Sequence, residues 1–453
     1  MKLFNTLSQK NEEIDSSKKT ISLYTCGPTV YDSAHIGNLR AYLNYDLLKR
    51  AIIAAGFIVK HAMNITDVDD KTIGRAKGDK TQFDKLTKEY EEKFWSDLAA
   101  LNILKPEIVT HATSYIDKII AFIKVLLEKG FAYKTADGSV YFSIDKFKDY
   151  GKLSRLDRKG LKVGARVNQD EYDKENPADF ALWKAWEQSD GEIFWDPSTW
   201  LGASTDFGKG RPGWHIECSV MSQDVLGETI DIHAGGIDLM FPHHENEIAQ
   251  SESKTGKQFA KIWFHNEHLL VDGKKMSKSL NNFYTLNDIE AKGFSPLDFR
   301  YFVLGAHYRS KINFTWKALE AAKNAREKLK RFAAENIGKE DDYYQDCVKQ
   351  FYSKLFDDLN SSEALAVVWE LIRDEKKSLG KKVATLLKLD KEILALGLSD
   401  TDTIPQEVIE LAEKRKNARE HGDYAKSDEL RKKILELGWN IDDLQSNNYR
   451  LLK

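Results

Sequence analysis

Cysteine is scarce in this chain of 453 residues: Cys26, Cys218 and Cys347 are too few and too scattered for a disulfide framework. No Cys-x-x-Cys pair occurs, so each thiol is a buried core group, a metal ligand or a reactive group. Only eight prolines and no low-complexity tract exclude a long disordered linker, and no repeat recurs at a fixed period of about 20 to 50 residues. No uninterrupted apolar run approaches the ~20 residues of a membrane span. The opening MKLFNTLSQKNEEID has no sustained apolar core behind its basic residue. A soluble, cytoplasmic protein without a membrane partner is expected. Charge of one sign is also missing: 68 Lys plus Arg against 71 Asp plus Glu leave a net −3, so no global positive field marks a nucleic-acid partner, and none excludes one. The absence of coiled-coil heptads and of a dimer motif points to a monomer.

What is present is a folded α/β chain, 42% hydrophobic and 31% charged, long enough for roughly three domains at about 150 residues each. Ile21 to Cys26 is a β-prone run stopped by Gly27 and Pro28. Apolar residues from Ile36 to Ala55 recur at helical spacing, and Phe57 to Ile65 reads as the next strand. This βαβ order predicts a parallel sheet. Helices follow over Phe83–Leu101 and Ser114–Leu127. Between about Gly130 and Trp200 short strands and turns dominate, with Trp183, Trp186, Trp195 and Trp200 close together, which reads as an inserted subdomain. The α/β texture resumes near Gly210, with a strand over Thr229–His233, a glycine turn at Gly235 and Gly236, and a helix from His243. Beyond Trp316 the spacing predicts a helical bundle over Lys317–Glu335, Tyr343–Leu359, Ser362–Leu379 and Ala384–Leu396. Two further helices, Glu407–Glu420 and Asp423–Leu437, lead to a polar tail.

Three constellations can carry chemistry. Thr29 to Asn38 lies between a strand and the helix it feeds, where α/β sheets bind phosphates. There a helix N-terminus offers unpaired N–H groups, His35 can donate to a phosphate oxygen, and Gly37 lets a base or sugar approach. The bland reading is a helix cap with Gly37 relieving crowding. Lys274-Lys275-Met276-Ser277-Lys278-Ser279, after Asp272-Gly273, is a cationic turn able to close on a polyphosphate, or simply a solvated one. Finally, Cys26, Cys218 and the segment Phe241 to Glu247 bring sulfur and imidazole together. His243 and Glu247 stand at i and i+4 on one helix face, a donor set that suits zinc if the distant cysteines converge on it. Asp238 after Gly235-Gly236 can accept from ribose hydroxyls or a substrate amine, with His233 and Asp231 candidates for the same crevice. Asp67, Asp69 and Asp70 read as a loop cap and helix-start charges rather than a metal site.

His35-Ile36-Gly37-Asn38 resembles the HIGH signature, and Lys275 to Ser279 the KMSKS signature, of the class I aminoacyl-tRNA synthetases. Asn38 stands where the second histidine would be, so its contact passes to an amide that donates but carries no charge. TCGPTVYD, GRPGWHIECS and DIHAGGIDLMFPHHENEIAQS resemble the cysteine-specific branch of that family, from about residue 20 to the final helices. The resemblance implies a Rossmann-like parallel-sheet catalytic domain in two halves, 1–117 and 205–262, split by a connective subdomain, 118–204. A KMSKS-loop and stem-contact region, 263–316, a helical bundle, 317–400, and an anticodon-binding module, 401–453, complete it. By the same resemblance one Zn2+ is held by Cys26, Cys218, His243 and Glu247 and takes the thiolate of substrate cysteine, with His244 outside the ligand set. Thr66 and Trp214 line the cysteine pocket; His35, Lys275 and Lys278 are catalytic; His35, Gly37, Asn38, Gly236, Asp238 and Lys278 bind ATP. The implied partners are ATP with Mg2+, L-cysteine and tRNA(Cys), the activity an ATP-dependent ligation passing through cysteinyl-adenylate and pyrophosphate. Arg415 and Arg419 at i and i+4 are expected to meet RNA, while the tail Gln445 to Lys453 departs from the family's glycine-threonine-tryptophan ending. Cys347 is expected to be a buried apolar thiol. Two other readings stand beside this one: an ATP-dependent ligase joining cysteine to an amino sugar, against which the C-terminal helices argue, and a non-catalytic zinc-containing RNA-binding paralogue, against which the intact Lys275–Ser279 run argues.

Overall fold

Five β-prone runs pair side by side in one all-parallel sheet: β1 (Thr20–Thr25), β2 (Ile58–Ile65), β3 (Ile108–His111), β4 (Ile230–Gly236) and β5 (Ala260–Asn266), in the order β5-β4-β1-β2-β3. The computed structural model describes residues 1–156, 166–167, 178–199, 208–276, 282–336, 342–399, 406–443 and 449–452. The sheet is buried on both faces, as its near-continuous apolar strands require; β4 is buried along its whole length. From β1 the chain passes through helix α1 (Ile36–Ala54) to β2 on one side, while β4 lies on the other. Strand order therefore reverses between β1 and β4, and the carboxyl ends of those two strands flank the crevice where open α/β sheets bind ligands.

Between β3 and β4 comes the insertion that splits the sheet. A helix, Ile116–Glu128, leads into an antiparallel sheet of Ala132–Lys134, Val140–Phe142, Asp179–Ala185 and Gly210–Pro212, with Arg166–Val167 joined parallel to Asp179–Ala185. The aromatic run supplies its core: Trp183 is fully buried, and Phe142 stacks on Phe180 with ring centroids 5.1 Å apart. Trp186 stays exposed, and Trp200 lies outside the described residues. The last strand of this sheet, Gly210–Pro212, runs directly into helix α2 (Trp214–Leu226), which returns the chain to the parallel sheet.

The glycines at 235 and 236 do not form the expected turn. They are the last two residues of β4, paired with His265 and Asn266. A Cβ at Gly235 would lie 2.2 Å from the His244 ring, so close approach, not chain reversal, requires glycine there. After β5, strands Leu269–Val271, Lys274–Lys275 and Ile312–Phe314 form a small separate sheet. The helices beyond it are Trp316–Asn336, Gln345–Leu355, Ser361–Arg373 and Leu379–Leu389. The third stops at Arg373 rather than Leu379, and the fourth begins at Leu379 and runs on through a wider turn at Asp390–Leu394. Cys347 is buried among these helices, as expected for a thiol with no motif around it in a helical segment.

The chain divides into two compact units, Met1–Leu398 and Ser399–Lys453. The second holds helices Gln406–Glu420 and Tyr424–Glu436 over a core of Val408, Ala412, Ile434, Trp439 and Ile441. Its tail is not merely polar: Asn440–Asp443 and Tyr449–Leu452 pair as an antiparallel hairpin. Arg415 is buried and donates to both carboxylate oxygens of Asp443 at 2.6 and 3.0 Å, and Arg419 reaches the same carboxylate at 3.1 Å. Arg415 thus ties helix to hairpin instead of standing ready for RNA. No helix among the described residues is long and apolar enough to cross a membrane.

Candidate functional site

A crevice of about 330 Å³ opens at the ends of β1 and β4. His35, Gly37, Asn38, Trp214, Gly236, Asp238 and Lys275 all line it, so residues spread over some 240 positions of sequence converge there. Lys278, with Ser277 and Ser279, lies outside the described residues.

The rim is made by the N-terminus of α1. His35 caps the helix: its Nδ1 accepts from the Asn38 N–H at 3.0 Å, while the Asn38 side-chain oxygen accepts from the His35 N–H at 3.2 Å. That bond puts the imidazole proton on Nε2, the form that donates to an acceptor such as a phosphate oxygen. The Ile36 N–H is taken by the Tyr284 carbonyl at 2.9 Å, so two of the first three helix donors are already engaged and the anion site relies on fewer than expected. The cap and the crevice lining thus coexist: the segment is a helix cap, and His35 and Gly37 also line the crevice. A Cβ on Gly37 would sit 2.9 Å from the His35 ring, so only glycine leaves the imidazole where it is. Segments flanking the lysine-rich run dock here: His35 meets the Phe283 ring edge-on at 5.0 Å and bridges to Thr285. Asp238 and Lys275 are exposed and line the same crevice.

The floor is of another kind. Cys26 follows β1 and donates its N–H to Ala234 of β4 at 3.2 Å. Cys218 stands on the second turn of α2, His243 precedes helix α3 (Glu245–Thr255), and Glu247 is in its first turn. One ligand atom from each of Cys26, Cys218, His243 and Glu247 lies within 4.8 Å of the other three, and all four residues are buried. A second group, Cys26, His233, His244 and Glu247, satisfies the same limit. The two share Cys26 and Glu247 and differ in that only the first carries two thiols.

Five histidines are buried in this layer: His215, His233, His243, His244 and His265, out of 11 in the chain. His215 Nδ1 is 2.8 Å from His243 Nδ1, leaving His243 Nε2 to face Glu247 Oε1 at 3.2 Å. His233 Nε2 lies 2.9 Å from Glu247 Oε2. His244 Nδ1 is 2.7 Å from Nε2 of His265, whose Nδ1 is held in turn by the Thr6 hydroxyl. Trp214 stacks on His243 with centroids 4.2 Å apart, joining crevice wall to floor. Glu247 Oε1 makes no hydrogen bond although the residue has no exposed surface. Burial pushes the Glu247 carboxyl well above its usual range, and neighbouring Cys218 adds to that. Burial also raises Cys218, but bonds with Cys26 and His243 outweigh it and hold that thiol low. An orphaned carboxylate oxygen and two thiols in a dry cluster are the donor set a soft, tetrahedral cation satisfies; the residues fit zinc.

The other expected residues fall elsewhere. Thr66 is buried beneath the crevice and does not line it; its hydroxyl donates to Glu217 Oε2 at 3.1 Å. Asp231 sits at the far end of β4, paired with Lys18 and accepting from Ser22, away from the crevice. Asp69 caps the helix Asp70–Ala76, Asp67 accepts from Thr113, and Asp70 pairs with Lys184 and Arg211, so the acidic cluster is structural. Sequence reasoning missed Asn64, whose side-chain oxygen accepts from the Gly27 N–H at 2.9 Å and the Tyr24 hydroxyl at 3.1 Å, and which fixes the turn leaving Cys26. It also missed the histidine layer, for which the signal was available: nearly half the chain's histidines fall in segments beside the ligand candidates.

Comparison with known proteins bears on the family and the fold. Residues 12–324 match the family of the tRNA synthetases class I (C) catalytic domain. The chain is 45% identical over 465 residues to the cysteine–tRNA ligase of Chlamydia felis, spanning 98% of this chain and 96% of that one. It is likewise 45% identical over 466 residues to the cysteine–tRNA ligase of Protochlamydia amoebophila, with the same coverage. Among solved structures, Mycobacterium tuberculosis methionyl-tRNA synthetase in complex with methionyl-adenylate superposes with a TM-score of 0.57 at 13% identity, covering 84% of this chain and 90% of that one. The ternary LeuRS–tRNA–LeuAMS complex of Agrobacterium radiobacter K84 gives 0.61 at 11% identity, covering 86% of each chain. The distant pair share the fold alone. The sequence relatives, matched nearly end to end, go further: this chain belongs to the cysteine–tRNA ligase family of class I synthetases.

Proposed function

We propose that this protein activates L-cysteine with ATP and transfers it to the 3′ end of tRNA(Cys). The observation that carries this reading is the buried Cys26–Cys218–His243–Glu247 cluster at the floor of a crevice whose rim is His35 and Lys275. Such a floor answers the selection problem. Serine has nearly the shape of cysteine, and an apolar pocket rejects an isostere of that kind only about 10²-fold. Zinc held by those four residues would supply a preference for sulfur, since a thiol ionises to a strong ligand and a serine hydroxyl does not.

The chain's own residues position and stabilise; none need become covalently attached. The carboxylate of cysteine attacks the α-phosphate of ATP, bound with Mg2+, the P–O bond to the β-phosphate breaks, and pyrophosphate leaves. A terminal hydroxyl of tRNA then attacks the cysteinyl carbonyl and AMP departs. Trp214, stacked on His243, packs beside the bound side chain. His35 donates through Nε2 to phosphate oxygens, Gly37, Asn38 and Gly236 give the nucleotide room and hydrogen bonds, and Asp238 accepts from its ribose or from the substrate amine. Lys275, and by its signature Lys278, meet charge growing on the departing pyrophosphate. Thr66 acts from below the pocket, through Glu217. We assign the two halves of the parallel sheet, 1–117 and 205–262, to this chemistry, the insertion 118–204 and region 263–316 to the acceptor stem, the 317–400 bundle to the body of the tRNA, and 401–453 to the anticodon, in a cytoplasmic monomer.

ATP–pyrophosphate exchange, run with cysteine and with serine on protein of assayed zinc content, tests this. Exchange with cysteine alone, lost when zinc is stripped, is the expected result. No exchange from folded, zinc-loaded protein would overturn it.

A further inference from the structure

Helix α1 buries four charged side chains, of which Asp46, Lys49 and Arg50 stand in ion pairs and Arg40 is held differently. Arg40 is 1% exposed, and its guanidinium donates to main-chain carbonyls rather than to a carboxylate. Nη1 reaches Glu267 O and His268 O, both at 2.6 Å; Nη2 reaches Ser310 O at 2.5 Å, with Tyr308 O and His307 O at 3.4 and 3.5 Å. A buried cation is tolerated only where its donors are satisfied, and the planar fork of arginine is the side chain that can span several acceptors at once. Burial lowers Arg40 to about 10, which leaves it charged at neutral pH.

The acceptors come from two places in the chain. Glu267 and His268 lead from β5 into the strand Leu269–Val271, and His307 to Ser310 lead into the strand Ile312–Phe314. Those strands pair with each other, and Leu269–Val271 pairs with Lys274–Lys275. One side chain of the helix that begins at His35 therefore grips both roots of the small sheet that carries Lys275. The gripped segment is also crevice wall: Asn266 to Leu269 line it together with His35, whereas Arg40 does not.

We infer that Arg40 is a positioning residue for ATP activation, setting the register between the His35 end of α1 and the sheet carrying Lys275 through its grip on the 267–268 and 307–310 carbonyls. The inference rests on the synthetase reading of the crevice. It separates the two substrates: the four candidate ligands, Cys26, Cys218, His243 and Glu247, stand on or beside β1, α2 and α3, none of which Arg40 grips, so losing the grip disturbs ATP use and spares cysteine binding.

The test compares wild type, Arg40→Lys and Arg40→Ala, all zinc-loaded, by pyrophosphate exchange with varied ATP and by calorimetric binding of cysteine without ATP. An ångström-scale misplacement lowers kcat/KM for ATP by about 10²-fold in Arg40→Ala and by about 10-fold in Arg40→Lys, whose ammonium still reaches part of the cage. Cysteine affinity stays at the wild-type value, and millimolar methylguanidinium restores exchange in Arg40→Ala. Unchanged ATP parameters, equal losses in exchange and cysteine binding, or failure of Arg40→Lys to fold would each make Arg40 a structural residue and overturn the inference. Absence of exchange in the wild type would instead overturn the synthetase reading itself.

Discussion

At the floor of the crevice Cys218, His243 and Glu247 expose no more than 1% of their surface, and each is fixed by a helix packed under the parallel sheet. At the rim Asn38, Asp238 and Lys275 are exposed, and what fixes them is a helix cap, a strand end and a two-residue strand. The floor is dry and short of positive charge; the rim is wet and presents a helix N-terminus and a lysine. Selection between two amino acids of one shape needs ligand chemistry in a desolvated pocket, where an unmatched group is costly. Activation needs donors aimed at charge that appears only in the transition state. On the proposed function the two demands fall to different elements of one crevice, and they should fail separately.

The largest break is expected at the floor. Cys218→Ala removes a thiolate from the four-residue cluster, so cysteine-dependent exchange falls by about 10⁴-fold and the preference over serine sinks toward the about 10² an apolar pocket provides. Zinc content by atomic absorption and exchange with both amino acids report it; a zinc-free variant that still prefers cysteine would merge floor and rim into one function. At the rim, Lys278→Ala lowers single-turnover adenylate formation by about 10²- to 10³-fold while cysteine binding without ATP is kept. Unchanged adenylation would remove Lys278 from the rim's work.

Acid should attack the parallel sheet itself, where His61 stands on β2 and His265 on β5. Burial holds His61 and His265 at about 3 against an ordinary 6.5. Below pH 6.5 the unfolded chain therefore binds protons at these sites that the folded chain refuses. Stability from this source is complete above pH 6.5 and falls, as pH drops toward 3, by about 1.4 kcal/mol per pH unit for each histidine. Urea unfolding at pH 6.5 and 5.5 measures it, and His61→Gln should flatten the slope by one histidine's share. The smallest effect is expected for Gly37→Ala, where a Cβ 2.9 Å from the His35 ring must turn the imidazole. Exchange falls by about 10-fold with zinc and cysteine binding intact.

Floor and rim also differ in how far the sequence discloses them. The strand–helix–strand order, the split sheet and the ligand spacing of His243 and Glu247 follow from local pattern, because side-chain periodicity and one turn of helix are local properties. Gly235 and Gly236 misled because glycine usually breaks strands, whereas here His244, just ahead of α3, needs the empty side of Gly235 and the Asp238 carboxylate that of Gly236. The tail hairpin was invisible: Asn440–Asp443 is polar and four residues long, and its pairing is supplied by Tyr449–Leu452. Arg415 read as part of a solvated basic face until Asp443 folded onto it. Arg40 carried no signal at all, since main-chain carbonyls, identical in every residue, are its partners.

The most direct measurement of the floor's separate role is calorimetric titration with cysteine, with serine and with ATP of zinc-loaded and zinc-stripped protein, each ligand alone. Cysteine binding to the loaded protein only, no serine binding to either, and equal ATP binding to both is the predicted result. Equal cysteine affinity with and without zinc, or serine bound as well as cysteine, would contradict it.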